Sequence, residues 1–141
     1  MPSSRSPRAT LVALTPEAKA ALRGAEVEIA TSPFRVGREL RGLPRLTVRT
    51  LVERREPRSR PTNELYLTET DEPFNVSREH FEIQRNGTHY VLVDRKSTCG
   101  TIVEGTVIAA QHGGDAVQLH DGDVIIVGTS KSPYVFKFRL R

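Results

Sequence analysis

Hydrophobic and polar residues alternate along short stretches of the chain, with the period of two that is typical of half-buried β-strands. In residues 25–30, for example, Val27 and Ile29 fall on one side, while Glu26 and Glu28 fall on the other. Comparable apolar runs occur at residues 10–14, 34–36, 65–67, 81–84, 89–93, 102–103, 106–108, 117–119, 124–127 and 134–140. The pattern therefore predicts a chain made of many short strands.

Turn-forming residues separate these runs. Asn86-Gly87 is a strong signal for a two-residue β-hairpin, and Glu104-Gly105 and Asp121-Gly122 indicate two further tight turns. Many short strands with such turns and little helix predict an all-β sandwich or barrel.

Two segments near the N-terminus are less clear. Residues 16–23 contain helix-forming residues, but so short a helix is marginal in isolation, and we expect a turn or a single helical turn there. Gly37 is expected to end the strand 34–36, because the backbone at that point needs room or a positive φ.

Residues 39–63 differ in composition from the rest of the chain. Prolines mark both ends of this segment, and alternation between residues 46 and 53 is compatible with an additional edge strand. Nine arginines and three glutamates lie between Phe34 and Pro61, whereas the whole chain has a formal net charge of only +4. This segment is either a solvated loop or a surface that attracts nucleic acid, acidic lipid or phosphorylated protein.

The length of 141 residues fits a single domain, which we place at residues 10–141 after a disordered lead at 1–9. A single cysteine excludes an intrachain disulfide and suits a reducing compartment. The apolar run at 11–14 is too short for a signal peptide, and no stretch approaches the ~18 apolar residues of a membrane span. We therefore expect a cytoplasmic protein without membrane association.

The sequence contains no motif that predicts catalysis. It has no nucleophile elbow, no phosphate-binding glycine loop and no histidines at metal-ligand spacing. We accordingly expect no enzyme activity, no cofactor and no metal.

Residues suited to binding a phosphate group do lie at predicted strand-to-loop junctions. Arginine offers a planar fork of donors, and hydroxyl groups and loop amides add short neutral donors. Arg38, Ser77, Arg78 and Thr98 supply this combination.

The motifs around these residues resemble the forkhead-associated (FHA) domain family. They are Phe34-Arg35-Val36-Gly37-Arg38, Val76-Ser77-Arg78-Glu79-His80, the segment 94–101, and the late turn at 119–125. The resemblance runs from about Leu11 to Leu140 and is interrupted by an Arg-rich insertion at 39–63. It implies a β-sandwich of two twisted, mostly antiparallel sheets with about eleven short strands, and it implies recognition of phosphothreonine peptides.

The resemblance also assigns roles to residues. Arg38 would grip the phosphate, Ser77 would donate its hydroxyl, Arg78 would add a backbone amide, and Thr98 would add a hydroxyl or an amide. His80 would brace the loop that carries Ser77. The residues expected to support the site structurally are Gly37, His80, Ser97, Gly100 and Thr101.

Cys99 departs from the family pattern, although its position belongs to the expected phosphopeptide-binding set. Family members usually carry an asparagine there, which hydrogen-bonds the main chain of the bound peptide. A thiol cannot reproduce an amide. Losing one hydrogen bond costs ~0.5–1.5 kcal/mol, or more if a buried partner is left unpaired, so affinity is expected to fall by roughly 3- to 100-fold.

The expected function is that of a phosphothreonine-binding adaptor, whose partner is a Ser/Thr kinase or a kinase substrate. One alternative is a scaffold that binds its partner regardless of phosphorylation, with Cys99 marking a degenerate site. The other is nucleic-acid binding through the arginine-rich segment, which is disfavoured because no recognition motif accompanies it.

Overall fold

The computed structural model describes residues 8–39, 63–69, 74–109 and 115–141. Residues 1–7 of the predicted lead at 1–9 and the possible strand at 46–53 lie outside these residues. In chain order the elements are β1 (Ala9–Ala13), α1 (Pro16–Leu22), β2 (Glu26–Glu28), β3 (Phe34–Glu39), β4 (Leu65–Thr68), β5 (Phe81–Asn86), β6 (His89–Asp94), β7 (Thr101–Val103), β8 (Thr106–Ile108), β9 (Ala116–Leu119), β10 (Val124–Val127) and β11 (Val135–Leu140).

These strands form two sheets, which confirms the predicted β-sandwich. The six-stranded sheet has the order β2-β1-β11-β10-β7-β8, and the five-stranded sheet has the order β4-β3-β5-β6-β9. All the strand pairs are antiparallel except β3 and β4, which run parallel with Val36 opposite Leu65.

The core lies between the two sheets and is built from alternate residues of the strands. In β11, Phe136 and Phe138 are fully buried, whereas Val135, Lys137 and Arg139 on the other face are only half-buried. The other large side chains that are completely buried include Leu11, Leu67, Phe81, Ile83, Leu92 and Ile125. Because these residues come from both sheets, the predicted alternation corresponds to one shared core.

The expectation of a turn or a single helical turn at residues 16–23 is wrong, because Pro16–Leu22 is an α-helix of seven residues, or about two turns. The side chain of Thr15 caps its N-terminus by accepting a hydrogen bond from the N–H of Ala18 at 3.2 Å. Arg23 ends the helix in the left-handed conformation, with φ of 56°. The helix is short, but buried Ala18 packs into the core, and this tertiary contact provides what an isolated helix of this length lacks.

Gly37 does not end its strand, so that part of the expectation is wrong, whereas the expected need for room is confirmed. β3 continues through Gly37 to Glu39, and the φ of Gly37 is not positive. The glycine is needed for space, since a Cβ atom there would lie 1.9 Å from the carbonyl oxygen of Arg78 and 2.6 Å from Asn63 Nδ2.

Among the helical residues that the structure describes, no segment has the length and apolar character required to cross a bilayer.

Candidate functional site

The candidate site lies at one end of the sandwich, where the loop between β4 and β5 runs beside the end of β3. The N–H of Arg38 donates to the carbonyl of Ser77 at 2.9 Å, and the N–H of His80 donates to the carbonyl of Val36 at 3.0 Å. These bonds bring together the Gly-Arg and the Ser-x-x-His motifs, which lie about forty residues apart in the sequence.

His80 connects this loop to the loop between β6 and β7. Its Nδ1 accepts a hydrogen bond from the N–H of Ser77 at 2.9 Å, and its Nε2 lies 2.7 Å from the carbonyl oxygen of Gly100. Since the Ser77 amide and the Gly100 carbonyl fix the two roles, the ring is neutral and carries its proton on Nε2. Burial lowers the pKa of His80, although the hydrogen bond to Gly100 and the charges of Asp94 and Glu69 partly oppose this effect.

Ser77 bridges the two loops directly. Its Oγ accepts a hydrogen bond from the N–H of Thr98 at 3.0 Å. The serine hydroxyl therefore has its own proton left to donate. The Thr98 amide is engaged with Ser77 in this arrangement, and the contact that Thr98 can offer to a ligand is its exposed hydroxyl.

The guanidinium of Arg38 lies against the same loop. Its Nη1 is 3.4 Å from the carbonyl oxygen of Val76, and its Cζ is 4.1 Å from the centre of the Phe74 ring, at cation–π distance. Among the described residues this is the one hydrogen bond of the Arg38 side chain, and a guanidinium has five N–H donors. Most of its donors can therefore be used by an anionic ligand.

The loop between β6 and β7 is held by its own polar side chains. Asp94 accepts hydrogen bonds from the backbone N–H of Ser97 at 3.2 Å and from the Ser97 hydroxyl. The same hydroxyl oxygen accepts from the N–H of Gly100 at 3.0 Å. Gly100 has a φ of +78°, a conformation that few other residues adopt readily.

Thr101 is placed differently from the other supporting residues. It begins β7 with its side chain buried, and in the described part of the chain its Oγ1 has no hydrogen-bond partner. A ligand on the surface therefore has no access to this hydroxyl.

Cys99 and Arg78 lie at the site, but their side chains make no hydrogen bond to Arg38, Ser77 or Thr98 among the described residues. The Sγ of Cys99 is half-buried and lies 3.6 Å from the carbonyl oxygen of Phe74. The side chain of Arg78 is exposed. Its carbonyl oxygen accepts a hydrogen bond from Asn63 Nδ2 at 2.8 Å.

Asn63 was not found by sequence reasoning, although it holds the loop that carries Ser77. It is only 2% exposed, donates to Arg78, and accepts from Arg95 Nη1 at 2.9 Å. Arg95 is in turn 3.4 Å from the carboxylate of Glu79. No motif marks Asn63, because only the parallel register of β3 and β4 brings it beside Gly37 and Arg78.

Phe74, Asn75 and Glu69 were also missed. The carboxylate of Glu69 accepts from the N–H of Asn75 at 2.9 Å and from the N–H of Val76 at 2.6 Å. The side chain of Asn75 accepts from the hydroxyl of Thr129 at 2.9 Å, which ties the loop after β10 to the same end of the sandwich. The only sequence signal for these residues was the acidic composition of the segment after residue 68.

A β-sandwich with this strand order, with Arg38 near the end of β3 and Ser77 and Thr98 on the adjoining loops, defines an FHA-type interaction domain. Residues 49–128 match the family model described as the FHA domain. Because this match covers more than half of the chain, the chain belongs to the FHA domain family. The matched range contains Ser77, His80 and residues 97–101, whereas Gly37 and Arg38 precede it. FHA domains are generally non-catalytic interaction modules, and no enzyme family is indicated.

Several solved structures have a similar fold. A structure of EmbR from Mycobacterium tuberculosis in complex with a low-affinity phosphopeptide is 24% identical to this chain. The superposed region covers 99% of this chain and 26% of the EmbR chain, with a TM-score of 0.60. This chain therefore spans about a quarter of the EmbR chain. A structure from an analysis of phosphothreonine-dependent FHA domain interactions is 22% identical to this chain. The superposed region covers 95% of this chain and 97% of that structure's chain, with a TM-score of 0.58.

Full-length Pml1p from yeast is 18% identical to this chain. The superposed region covers 100% of this chain and 86% of the Pml1p chain, with a TM-score of 0.61. At these levels of identity the similarities show the fold alone. A search of curated proteins finds no match.

Proposed function

We propose that this protein is a non-catalytic adaptor that binds phosphothreonine in a partner protein through Arg38, Ser77, Arg78 and Thr98. The observation that carries the proposal is the use of the Ser77 hydroxyl. Its oxygen accepts a hydrogen bond from the N–H of Thr98, so its proton is available to a further acceptor. A hydroxyl held as a donor beside an arginine is suited to a phosphate oxygen.

The charges at the site favour a dianion. The Arg38 guanidinium has free donors, and its cation–π contact with Phe74 positions it without neutralising it. The Thr98 hydroxyl and the backbone amide of Arg78 complete the proposed donor set. A phosphate that loses its hydration here would thus receive charge-assisted hydrogen bonds in return.

The support scaffold favours the same conclusion. His80, Ser97 and Gly100 hold the two loops by buried hydrogen bonds, so the donors are arranged before a ligand arrives. Two of the similar structures concern phosphopeptide or phosphothreonine recognition, and we carry that ligand class to this chain as part of the proposal. The proposed partner is a Ser/Thr kinase or a kinase substrate.

Cys99 should lower the affinity and the sequence selectivity of binding. Its thiol lies near the carbonyl of Phe74 and offers a bound peptide only a weak hydrogen-bonding group. We therefore expect phosphate to dominate recognition, with a weak preference for the residues around it.

The test is titration of the full chain with degenerate peptide libraries that contain phosphothreonine, phosphoserine or unphosphorylated threonine. Selective binding of the phosphothreonine library at micromolar strength is expected. Arg38→Ala should weaken binding by roughly 10- to 100-fold, because a hydrogen bond between charged groups contributes about 1.5–3 kcal/mol. Ser77→Ala should weaken it by about 10-fold.

Arg85→Ala is the matched control, because Arg85 is an exposed arginine beside the β5–β6 hairpin, away from the site. Circular dichroism of each variant verifies the fold. Unchanged affinity in Arg38→Ala would contradict the assignment of the site.

A scaffold that binds its partner independently of phosphorylation is the second candidate function. It is favoured by the thiol of Cys99 at a peptide-facing position. Equal binding of phosphorylated and unphosphorylated libraries by folded protein would support it. Nucleic-acid binding involves the arginine-rich segment, most of which lies outside the described residues, and predicts a steep loss of affinity with added salt.

A further inference from the structure

The outer face of the six-stranded sheet carries an unusual row of apolar side chains. An exposed face of an antiparallel sheet usually presents polar residues to water. Here the outward residues at one level of β11, β10, β7 and β8, together with the residue that follows β1, are all apolar. This apolar row consists of Leu14, Val135, Ile126, Ile102 and Val107.

The strand registers place these residues directly opposite one another. Leu14 donates its N–H to Val135, which pairs with Ile126; Ile126 pairs with Ile102, which pairs with Val107. Leu14 and Val107, at the two ends, are 45% and 51% exposed, and they are the exposed large hydrophobic residues of the described chain. The row therefore forms one continuous apolar strip across the sheet.

A second row lies beside it, one step along the strands. Lys137 is opposite Val12 on one side and Val124 on the other, and Glu104 follows, bonded to Val124. Within the described residues the half-buried Lys137 makes no ion pair or hydrogen bond. Glu104 accepts a hydrogen bond from the N–H of Val124 with one carboxylate oxygen only. Each charged group can thus accept another partner.

The two rows are self-complementary about β10. Reversal of the strand order around β10 exchanges β11 with β7 and β1 with β8. This operation brings Leu14 onto Val107, Val135 onto Ile102 and Lys137 onto Glu104, while Ile126 and Val124 return to their own positions. A two-fold axis parallel to β10 performs this exchange, and such an axis relates the subunits of an isologous dimer.

We infer that this face binds a second copy of the same chain, with the two six-stranded sheets stacked face to face about β10. Apolar side chains of both rows would leave water, and each Lys137 would meet Glu104 of the other copy. Sheets stack in this way at about 10 Å with their strands aligned within about 30°. The match of apolar and charged positions to their own rotated image is what favours a second copy over another partner.

The size of the face sets the expected strength. The apolar row crosses four inter-strand spacings, or roughly 19 Å at about 4.8 Å each. An interface of this extent falls at the low end of specific interfaces, so we expect a reversible dimer with a dissociation constant on the order of 10–100 μM. This inference does not depend on the proposed function, because the end loops that carry Ser77 lie outside both rows.

The experiment is sedimentation velocity of the full chain over roughly 1–500 μM, with charge-swap variants. Lys137→Glu and Glu104→Lys each bring like charges together and should weaken dimerisation at least about 10-fold. The double variant restores opposite charges and should recover the dimer. Glu28→Lys and Lys131→Glu, which make the same charge changes at exposed positions outside the rows, are the controls.

Val107→Lys provides an independent variant at an exposed position, where folding should be unaffected, and it should also give a monomer. Circular dichroism verifies the fold of every variant. The inference is overturned if the parent chain remains monomeric throughout, if the single swaps dimerise as the parent does, or if the double variant fails to recover the dimer.

Discussion

The end loops of the sandwich and the outer face of its six-stranded sheet are built in opposite ways. At the end loops, polar residues such as His80, Ser97 and Asn63 are buried, and each is hydrogen-bonded to neighbouring groups of the loops. On the outer face, apolar residues such as Leu14 and Val107 are exposed, and Lys137 has no partner within the described chain.

The difference separates stability from association. A buried hydrogen-bond network is costly to disturb, because each broken bond leaves another buried group unsatisfied. The exposed ends of the apolar row contribute little to the stability of a single chain, whereas its middle residues are half-buried. Substitutions at the end loops should therefore change folding and ligand binding together, whereas substitutions at Leu14 and Val107 should change self-association alone.

The largest effect is expected for Gly37→Ala at the end loops. The added Cβ would lie 1.9 Å from the backbone oxygen of Arg78, so β3 or the Ser77 loop must move. We expect a loss of about 3 kcal/mol in the free energy of unfolding, measured by chemical denaturation. Gly24→Ala is the control, because its Cβ would have no heavy atom within 4 Å. Similar costs for the two substitutions would show that the close approach at Gly37 is absent in solution.

Asn63→Ala should have the next largest effect. It removes the two buried hydrogen bonds that the Asn63 side chain makes with the carbonyl of Arg78 and the Nη1 of Arg95. We expect the free energy of unfolding to fall by about 2 kcal/mol. Phosphopeptide affinity should fall several-fold at the same time, because the loop that carries Ser77 loses its support. Asn86→Ala, at an exposed hairpin position, should change stability by less than about 0.5 kcal/mol. A fully stable Asn63 variant would argue against this bracing.

The pH dependence of stability should show whether the pKa of His80 is lowered in the folded protein. Its pKa is lowered in the folded protein, so the unfolded chain takes up the proton first as the pH falls below about 6.5. The free energy of unfolding should therefore decrease from that pH downward until the folded pKa is reached, with a slope of at most about 1.4 kcal/mol per pH unit.

The measurement is chemical denaturation between pH 7.5 and 5.5, in the parent chain and in His80→Gln. The variant lacks the titrating ring and should show a shallower dependence, since the other histidines are common to both proteins. Parallel curves would mean that His80 does not resist protonation. Imidazole ¹⁵N shifts of the parent chain test the Nε2–H form directly.

The smallest effect on stability is expected on the outer face. Val107→Thr exchanges an exposed methyl group for a hydroxyl, and the free energy of unfolding should change by less than about 0.5 kcal/mol. Its dimer should nevertheless be weaker than that of the parent chain in sedimentation velocity. A large loss of stability would show that the outer face belongs to the folding core, which would remove the contrast between the two regions.

The sequence predicted the end loops better than the outer face for a physical reason. Ser77 and His80 lie three residues apart, and Ser97 and Gly100 likewise, so their contacts are set locally and appear as motifs. The alternation in β5 and β11 similarly predicted the buried faces of both strands. The roles assigned to these residues in ligand binding remain predictions.

Contacts that depend on strand register could not be predicted in this way. Asn63 reaches Arg78 only because β3 and β4 are parallel neighbours, and the apolar row draws on four strands and the residue after β1. The helix Pro16–Leu22 was missed for a related reason, since its stability depends on the packing of Ala18 and not on local propensity alone.

The direction of β10 determines how the two binding sites of the inferred dimer are arranged. Gly128 and Thr129 follow β10, and Thr129 is bonded to Asn75, so this strand points toward the end loops. A two-fold axis parallel to a strand leaves the strand direction unchanged, and the end loops of two copies paired about β10 would therefore lie on the same side. Such a pair would bind two phosphorylated residues of one partner together, with the second event favoured by a millimolar effective concentration. Weak individual sites would then give tight binding to a doubly phosphorylated chain.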